Sequence, residues 1–143
     1  MWLDRFDDRL KSWSELRSHC EELPLEEALN RIADWWGHAP RINHAIHWND
    51  QSNWPDPWDL LADNAYDELA IALGMSYTVI MLENLDCTVE IAQATDDQAQ
   101  EYNLVLVDER KYILNYDPWE VVSTEQFNFK ITKTIDAKTL RIG

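Results

Sequence analysis

At 143 residues the chain is long enough for one domain with its own core, and only three glycines leave little for loops that cradle phosphates. The net charge is −15, and no Lys or Arg stands between Arg41 and Arg110, where fourteen Asp and Glu fall in residues 42–109. That field disfavours direct contact with nucleic acid or anionic membrane and favours other protein chains with basic or apolar surfaces.

Residues 2–20 place Leu3, Phe6, Leu10, Trp13, Leu16 and Cys20 at helical spacing. Acids come early (Asp4, Asp7, Asp8) and Lys11 and Arg17 later, the sense that suits a helix dipole. Pro24 breaks this helix, and a second one is predicted over 25–36, ended by Gly37. Residues 38–55 read as a long ordered loop pinned by Trp48, Trp54 and Trp58.

The stretch 54–74 reads as the central helix. Asp56 and Pro57 suit its first turn, Gly74 its left-handed stop, and Leu61, Ala65, Leu69, Ala72 and Leu73 share a broad apolar face. Asp59, Asp63 and Asp67 line the remaining strip at i, i+4, i+8. Beyond it the period changes to two. Strands are predicted over 76–83 and 87–94, and a hairpin pairs 102–107 with 111–115 around Asp108-Glu109-Arg110. Val121-Val122 continue the pairing, 127–132 form a last strand, and 139–142 a short tail strand after a turn at Asp136-Ala137. Helices first and an antiparallel sheet second define an α+β class: N-terminal helices and one central helix packed on an antiparallel β-sheet. The division is an N-terminal helix (1–23), a core (24–122) and a C-terminal β extension (123–143) within a single domain.

No catalytic set emerges. Cys20 and Cys87 form no CxxC or ligand spacing and read as reduced fillers. The His44–His47 pair lacks the second pair of ligands a zinc site shows, and bare carboxylates on one helix lack the carbonyl ligands calcium prefers. No GxSxG motif or P-loop occurs, so no cofactor, no metal and no enzymatic activity are expected. With no apolar run of eighteen residues and no signal-peptide pattern at Met1-Trp2-Leu3-Asp4, a soluble, unexported chain is expected.

Two resemblances add to this. From Trp54 to Trp119 the order of elements resembles the core of transglutaminase-like and other papain-fold cysteine hydrolases. There a helix begins with the catalytic cysteine, one following strand carries histidine, and the next ends in aspartate. Here 58–74 would be that helix, 102–107 the histidine strand, and Tyr116-Asp117-Pro118-Trp119 resembles the aspartate end. No Cys or Ser lies near Trp58-Asp59 and no His follows His47, so the resemblance implies a catalytically dead relative that binds a peptide or amide ligand near Trp58 and Asp117. The runs WWGHAP, WPDPWDLLADN, ALGMSYT and YNLVLVDERKYILN, across about residues 24–122, also resemble small proteins of tailed bacteriophages, cyanophages in particular. That resemblance implies a host-cell cytoplasmic or virion-incorporated protein.

The leading functional expectation is therefore a non-enzymatic interaction module, a structural or accessory component of a phage particle such as a head–tail, tail or baseplate piece. Trp35, Trp36, Trp48 and Trp54, the stripe Asp59, Asp63 and Asp67, and Phe127, Phe129 and Ile131 of the C-terminal extension are the partner-binding candidates. An acidic mimic occupying the basic groove of a nucleic-acid-binding protein is the alternative, resting on the acidic middle and the aspartate stripe.

Overall fold

The computed structural model describes residues 2–44, 46–117, 119–140 and 142, with the backbone alone for Gln126. Among these, four helices, α1 (Phe6–Cys20), α2 (Leu25–Gly37), α3 (Pro57–Asp63) and α4 (Glu68–Ile80), precede five strands. The strands are β1 (Val89–Thr95), β2 (Glu101–Val107), β3 (Tyr112–Leu114), β4 (Val122–Ser123) and β5 (Lys130–Asp136), in one antiparallel sheet of order β4-β3-β2-β1-β5. The α+β class, the first two helices and the hairpin stand as expected. No described helix is long and apolar enough to cross a membrane.

The central helix differs from the expectation in three linked ways. First, the single helix over 54–74 is two. Asn64 takes left-handed dihedrals (φ 57°, ψ 27°) and ends α3, and Asp67 restarts the chain as N-cap of α4, its carboxylate accepting from Ala70 N at 2.7 Å. What breaks the helix is Tyr66. Its N–H donates to Pro40 O (3.0 Å), its carbonyl accepts from Ile42 N (2.9 Å), and its buried hydroxyl donates to Leu60 O (2.7 Å). A continuous helix would forgo all three, and buried polar groups left unpaired are costly. Second, Gly74 does not stop a helix; it sits inside α4. Third, residues 76–80 are the last turns of α4 rather than the start of a strand. Every residue from Leu69 to Val79 is buried, so the run reads as apolar throughout and carries no period. The hydroxyls of Ser76 and Thr78 are satisfied within the helix, donating to Ala72 O (2.9 Å) and Gly74 O (2.7 Å).

Helix α4 is the hub, packed between α2 on one side and β1 and β2 on the other. Val89 and Ile91 of β1, Val105 and Val107 of β2, and Leu114 of β3 point toward it. The alternate residues Ala92, Ala94, Leu104, Leu106 and Ile113 face outward, yet they too are buried, packed against Tyr102, Tyr116, Val122, Phe129 and Ile131.

The hairpin turn without glycine holds three successive left-handed residues, Asp108, Glu109 and Arg110 (φ 59°, 54° and 66°). Such backbone costs about 1–3 kcal/mol per residue unless its surroundings impose it. They do: Thr88 accepts from Asp108 N (2.8 Å) and Glu109 N (2.5 Å), and Arg110 makes two 2.9 Å bonds to Glu90. The last strand runs later than expected, leaving Phe127 and Phe129 ahead of β5, and a 3₁₀ turn (Ala137–Thr139) replaces the start of the tail strand. Arg141 and Gly143 lie outside the described residues.

Candidate functional site

The head of α4 meets the sheet where β2 begins and β3 ends, and there the chain forms its polar cleft. A hollow of about 400 Å³ is lined by Arg41, Glu68, Gln100, Glu101, Tyr102, Asn103, Asn115 and Tyr116. It shares Glu68, Gln100, Glu101 and Asn103 with a broader depression of about 850 Å³ that also takes in His44, His47, Trp48 and Asp67.

The groups at the junction are tied to one another. Asn115, in a left-handed conformation (φ 68°), donates from Nδ2 to Asn103 O (2.8 Å) and Glu68 O (3.1 Å), joining β3, β2 and the first turn of α4. Its own side chain thus satisfies a backbone that the sheet leaves open. Trp48 Nε1 donates to Asn103 Oδ1 at 2.7 Å, and Arg41 Nη1 pairs with Glu68 Oε1 at 2.5 Å. Asp67 accepts from Ala70 N with one oxygen and from Ile46 N with the other (3.1 Å), so one carboxylate caps α4 and anchors the 38–55 loop. Asp67→Ala should therefore cost about 1–2 kcal/mol of stability. In hydrogen exchange, the Ile46 amide should lose protection along with Ala70.

Where the elements place the sequence candidates is now plain. The loop is pinned by tryptophans as expected, but by two of the three. Trp54 Nε1 donates to His47 O (2.7 Å) with its ring 5.8 Å from Trp48, whereas Trp58 lies 42% exposed on α3, edge-on to Trp13. Trp36 and Trp54 are buried in the core, and Trp35 is half-buried with its indole donating to Ser12 Oγ (3.0 Å), so these three serve packing where they stand. The aspartate stripe is broken by the end of α3. Asp59 and Asp63 are exposed there, while Asp67 is 6% exposed and turned to capping. Burial, and then the neighbouring Asp59 charge, raises the Asp63 carboxyl above its ordinary range. Phe127, Phe129 and Ile131 lie half-buried over the outer face of the sheet.

Asp117 does not reach the cleft; it accepts from Trp119 N (2.9 Å) within its own turn, and Pro118 lies outside the described residues. The residue of that segment facing the head of α4 is Asn115. The polar cleft lies between α4, β2 and β3, and Tyr116, the residue before Asp117, stands in its wall. Asn103, Asn115 and Arg41 escaped the sequence reading. The one signal for the two asparagines was a polar amide within or just after an apolar run, and Arg41 had none.

Among the described residues no cysteine, serine or threonine lines the cleft. Cys20 is fully buried between α1 and α2, its thiol 3.6 Å from Ala28 O, and burial pushes it up to about 11. Burial raises Cys87 as well. Since the thiolate is the reactive form, iodoacetamide at neutral pH should leave Cys20 unmodified in the native protein and label it after denaturation, as read by mass spectrometry. His44 and His47 face each other, Nε2 to Nε2 at 3.2 Å. Among the described residues no group of three or more His, Cys, Asp or Glu stands together as metal ligands.

This architecture is similar to solved structures of LapG from Legionella pneumophila. The likeness to one has a TM-score of 0.72 at 13% identity, covering 95% of this chain and 78% of that one. EGTA-treated and calcium-bound LapG each give 0.73 at 13% identity over 95% of this chain, and over 76% and 78% of theirs. LapG has a transglutaminase-like, papain-like cysteine protease fold, and at this identity the likeness is one of fold alone. The resemblance read from the order of elements thus holds for the fold. No protein-family model matches the chain, and no curated protein is detectably similar. These comparisons lend no support to the tailed-phage resemblance.

Proposed function

We propose that the chain is a non-enzymatic binding domain, a transglutaminase-like frame whose cleft at the head of α4 holds an extended polypeptide segment of a partner protein. One observation carries this reading. The cleft between the head of α4 and the two strands facing it is lined by Glu68, Asn103 and Asn115, and by no cysteine or histidine among the described residues. None of these is a thiol or an imidazole, and the two asparagines already spend hydrogen bonds on their neighbours. A nucleophile needs an adjacent base and a third group to orient it. Here the cleft holds amide groups and a carboxylate paired with Arg41. Amide and carboxylate side chains around a trough are suited to the N–H and C=O groups of an extended chain. An interaction role of this kind is also what the tailed-phage resemblance implies, a component that holds a neighbour without turning it over.

The test is titration of isotope-labelled protein with a mixed library of short capped peptides, followed by NMR and by mass spectrometry of the peptides. Shifts at the Asn103 and Asn115 side-chain amides and the Trp48 indole, with every peptide recovered intact, are expected. Cleaved peptides would show an enzyme, and a spectrum unmoved at millimolar peptide would end the binding reading.

A further inference from the structure

We propose that an aromatic pocket beside the cleft receives a cationic side chain, arginine or lysine, of that same partner segment. The inference rests on the binding reading above and adds the partner's chemistry. Four half-buried rings meet here: Tyr116 lies 5.3 Å from Tyr102, 4.3 Å from Phe127 and 5.6 Å from Phe129, and Phe127 and Phe129 stack at 5.8 Å and 25°. A hollow of about 310 Å³ is lined by Tyr116, Phe127 and Phe129 together with Asp96, Asp97, Gln98 and Asn128. Tyr116 belongs also to the wall of the polar cleft, as does Tyr102, so a chain lying in the cleft reaches this pocket without leaving the surface.

Ring faces carry negative potential and attract a cation placed over them, more strongly as it loses water. The carboxylates add to that field. Asp96 is held in place by accepting from Gln98 N (2.9 Å), Gln100 N (3.0 Å) and the Tyr102 hydroxyl (3.1 Å), and these bonds lower its carboxyl below the usual range. Asp97 is exposed and makes no hydrogen bond or ion pair among the described residues, which leaves it for an incoming charge. Among the described residues no Lys or Arg lines the pocket, and none occurs anywhere in residues 42–109. An anionic or purely apolar ligand would meet two carboxylates here; a guanidinium or ammonium group finds both ring faces and negative charge in the lining. Phe127 and Phe129, candidates from the sequence as partner contacts, acquire a specific role.

The experiment uses the full chain and two capped pentapeptides, Gly-Gly-Arg-Gly-Gly and its citrulline counterpart, which keeps the shape and removes the charge. Aromatic and amide NMR signals are followed through each titration. The arginine peptide should move the ring signals of Tyr116, Phe127 and Phe129 and bind about tenfold more tightly than the citrulline peptide. Asp97→Asn, an exposed change that leaves the fold intact, should weaken the arginine peptide about threefold and leave the citrulline peptide unchanged. Equal affinity of the two peptides, or ring signals that stay still while Asn103 and Asn115 respond, overturns the cation pocket and leaves the cleft reading intact. Rings that respond while Asn103 and Asn115 stay silent would keep the pocket and sink the cleft. Silence everywhere removes both.

Discussion

Thr78→Val should remove a large share of the chain's stability although it changes almost no volume. The Thr78 hydroxyl, fully buried on α4, accepts from two indoles, Trp13 Nε1 at 2.9 Å and Trp36 Nε1 at 3.0 Å, while donating to Gly74 O at 2.7 Å. A hydroxyl offers one donor and two acceptor sites, so this one is fully used. Three helices converge on it: Trp13 comes from α1, Trp36 from α2, and the oxygen belongs to α4. Valine fills the same space and leaves two buried indole N–H groups with no partner. Each such orphan costs about 1–3 kcal/mol, which places the loss at roughly 2–6 kcal/mol against a total near 5–15 kcal/mol for a domain of ordinary stability. Urea titration followed by tryptophan fluorescence should show the midpoint collapsing with the slope retained. Thr78→Ser keeps the oxygen and should lose only about 1 kcal/mol, the transfer energy of the deleted methyl. A valine variant as stable as the serine variant would show that the indoles find other acceptors.

The same atoms explain what could and could not be read without coordinates. Helices α1 and α2 were legible because each buries one face and wets the other, which writes a period into the sequence. The β2–β3 hairpin was legible from two apolar runs and a short polar gap. Helix α4 was not, because a helix buried on all sides has no wet face to mark its period. Its β-branched residues Thr78, Val79 and Ile80 then resemble a strand. The break at Asn64 depends on Tyr66 bonding to Pro40 and Ile42, partners more than twenty residues away that no local pattern reveals. Arg9 was missed for a similar reason. It is 3% exposed and spans Leu61 O (2.9 Å), Leu3 O (3.0 Å) and Asp4 O (2.7 Å), so a charged residue of α1 is a tie between the N-terminal segment and α3.

The candidate site was legible only in outline. The order of a helix followed by antiparallel strands indicated where a papain-like cleft would fall. Its position along the helix could not be set while α3 and α4 were read as one. Asn103 and Asn115 stand twelve residues apart and meet only because β2 and β3 pair with Val105 opposite Leu114, which brings the strand ends to the head of α4. Sequence spacing carries no trace of that register. The acidic middle was visible at once. Its meaning depends on which carboxylates stay open, and the structure separates them. Asp67 and Asp96 hold backbone in place, Glu68 is paired with Arg41, and Asp97 remains open toward the aromatic pocket.

Gly74→Ala should destabilise the chain even though alanine is the better helix former. In an exposed helix the exchange would gain about 1 kcal/mol. At position 74 a Cβ would stand 2.5 Å from Trp36 Cη2 and Cζ2 and 2.8 Å from Cε2, closer than any carbon contact permits. These are atoms of a rigid ring, and the ring has nowhere to go. Its Nε1 is fixed to Thr78, and Trp2, Trp35 and Tyr66 crowd it at centroid distances of 5.7, 5.0 and 5.7 Å. Overpacking of this kind costs roughly 1–3 kcal/mol and exceeds the propensity gain where nothing yields, so a net loss of up to about 2 kcal/mol is expected, read as a lower melting temperature. The decisive measurement is a double-mutant cycle with Trp36→Leu, which alone should cost a few kcal/mol by opening a cavity, about 3–5 at most. With the ring gone the methyl group has room, so Gly74→Ala should turn neutral or stabilising in that background, a coupling that independent sites would not show. Equal cost in both backgrounds would mean that the glycine is needed for something other than the close approach of α2 to α4.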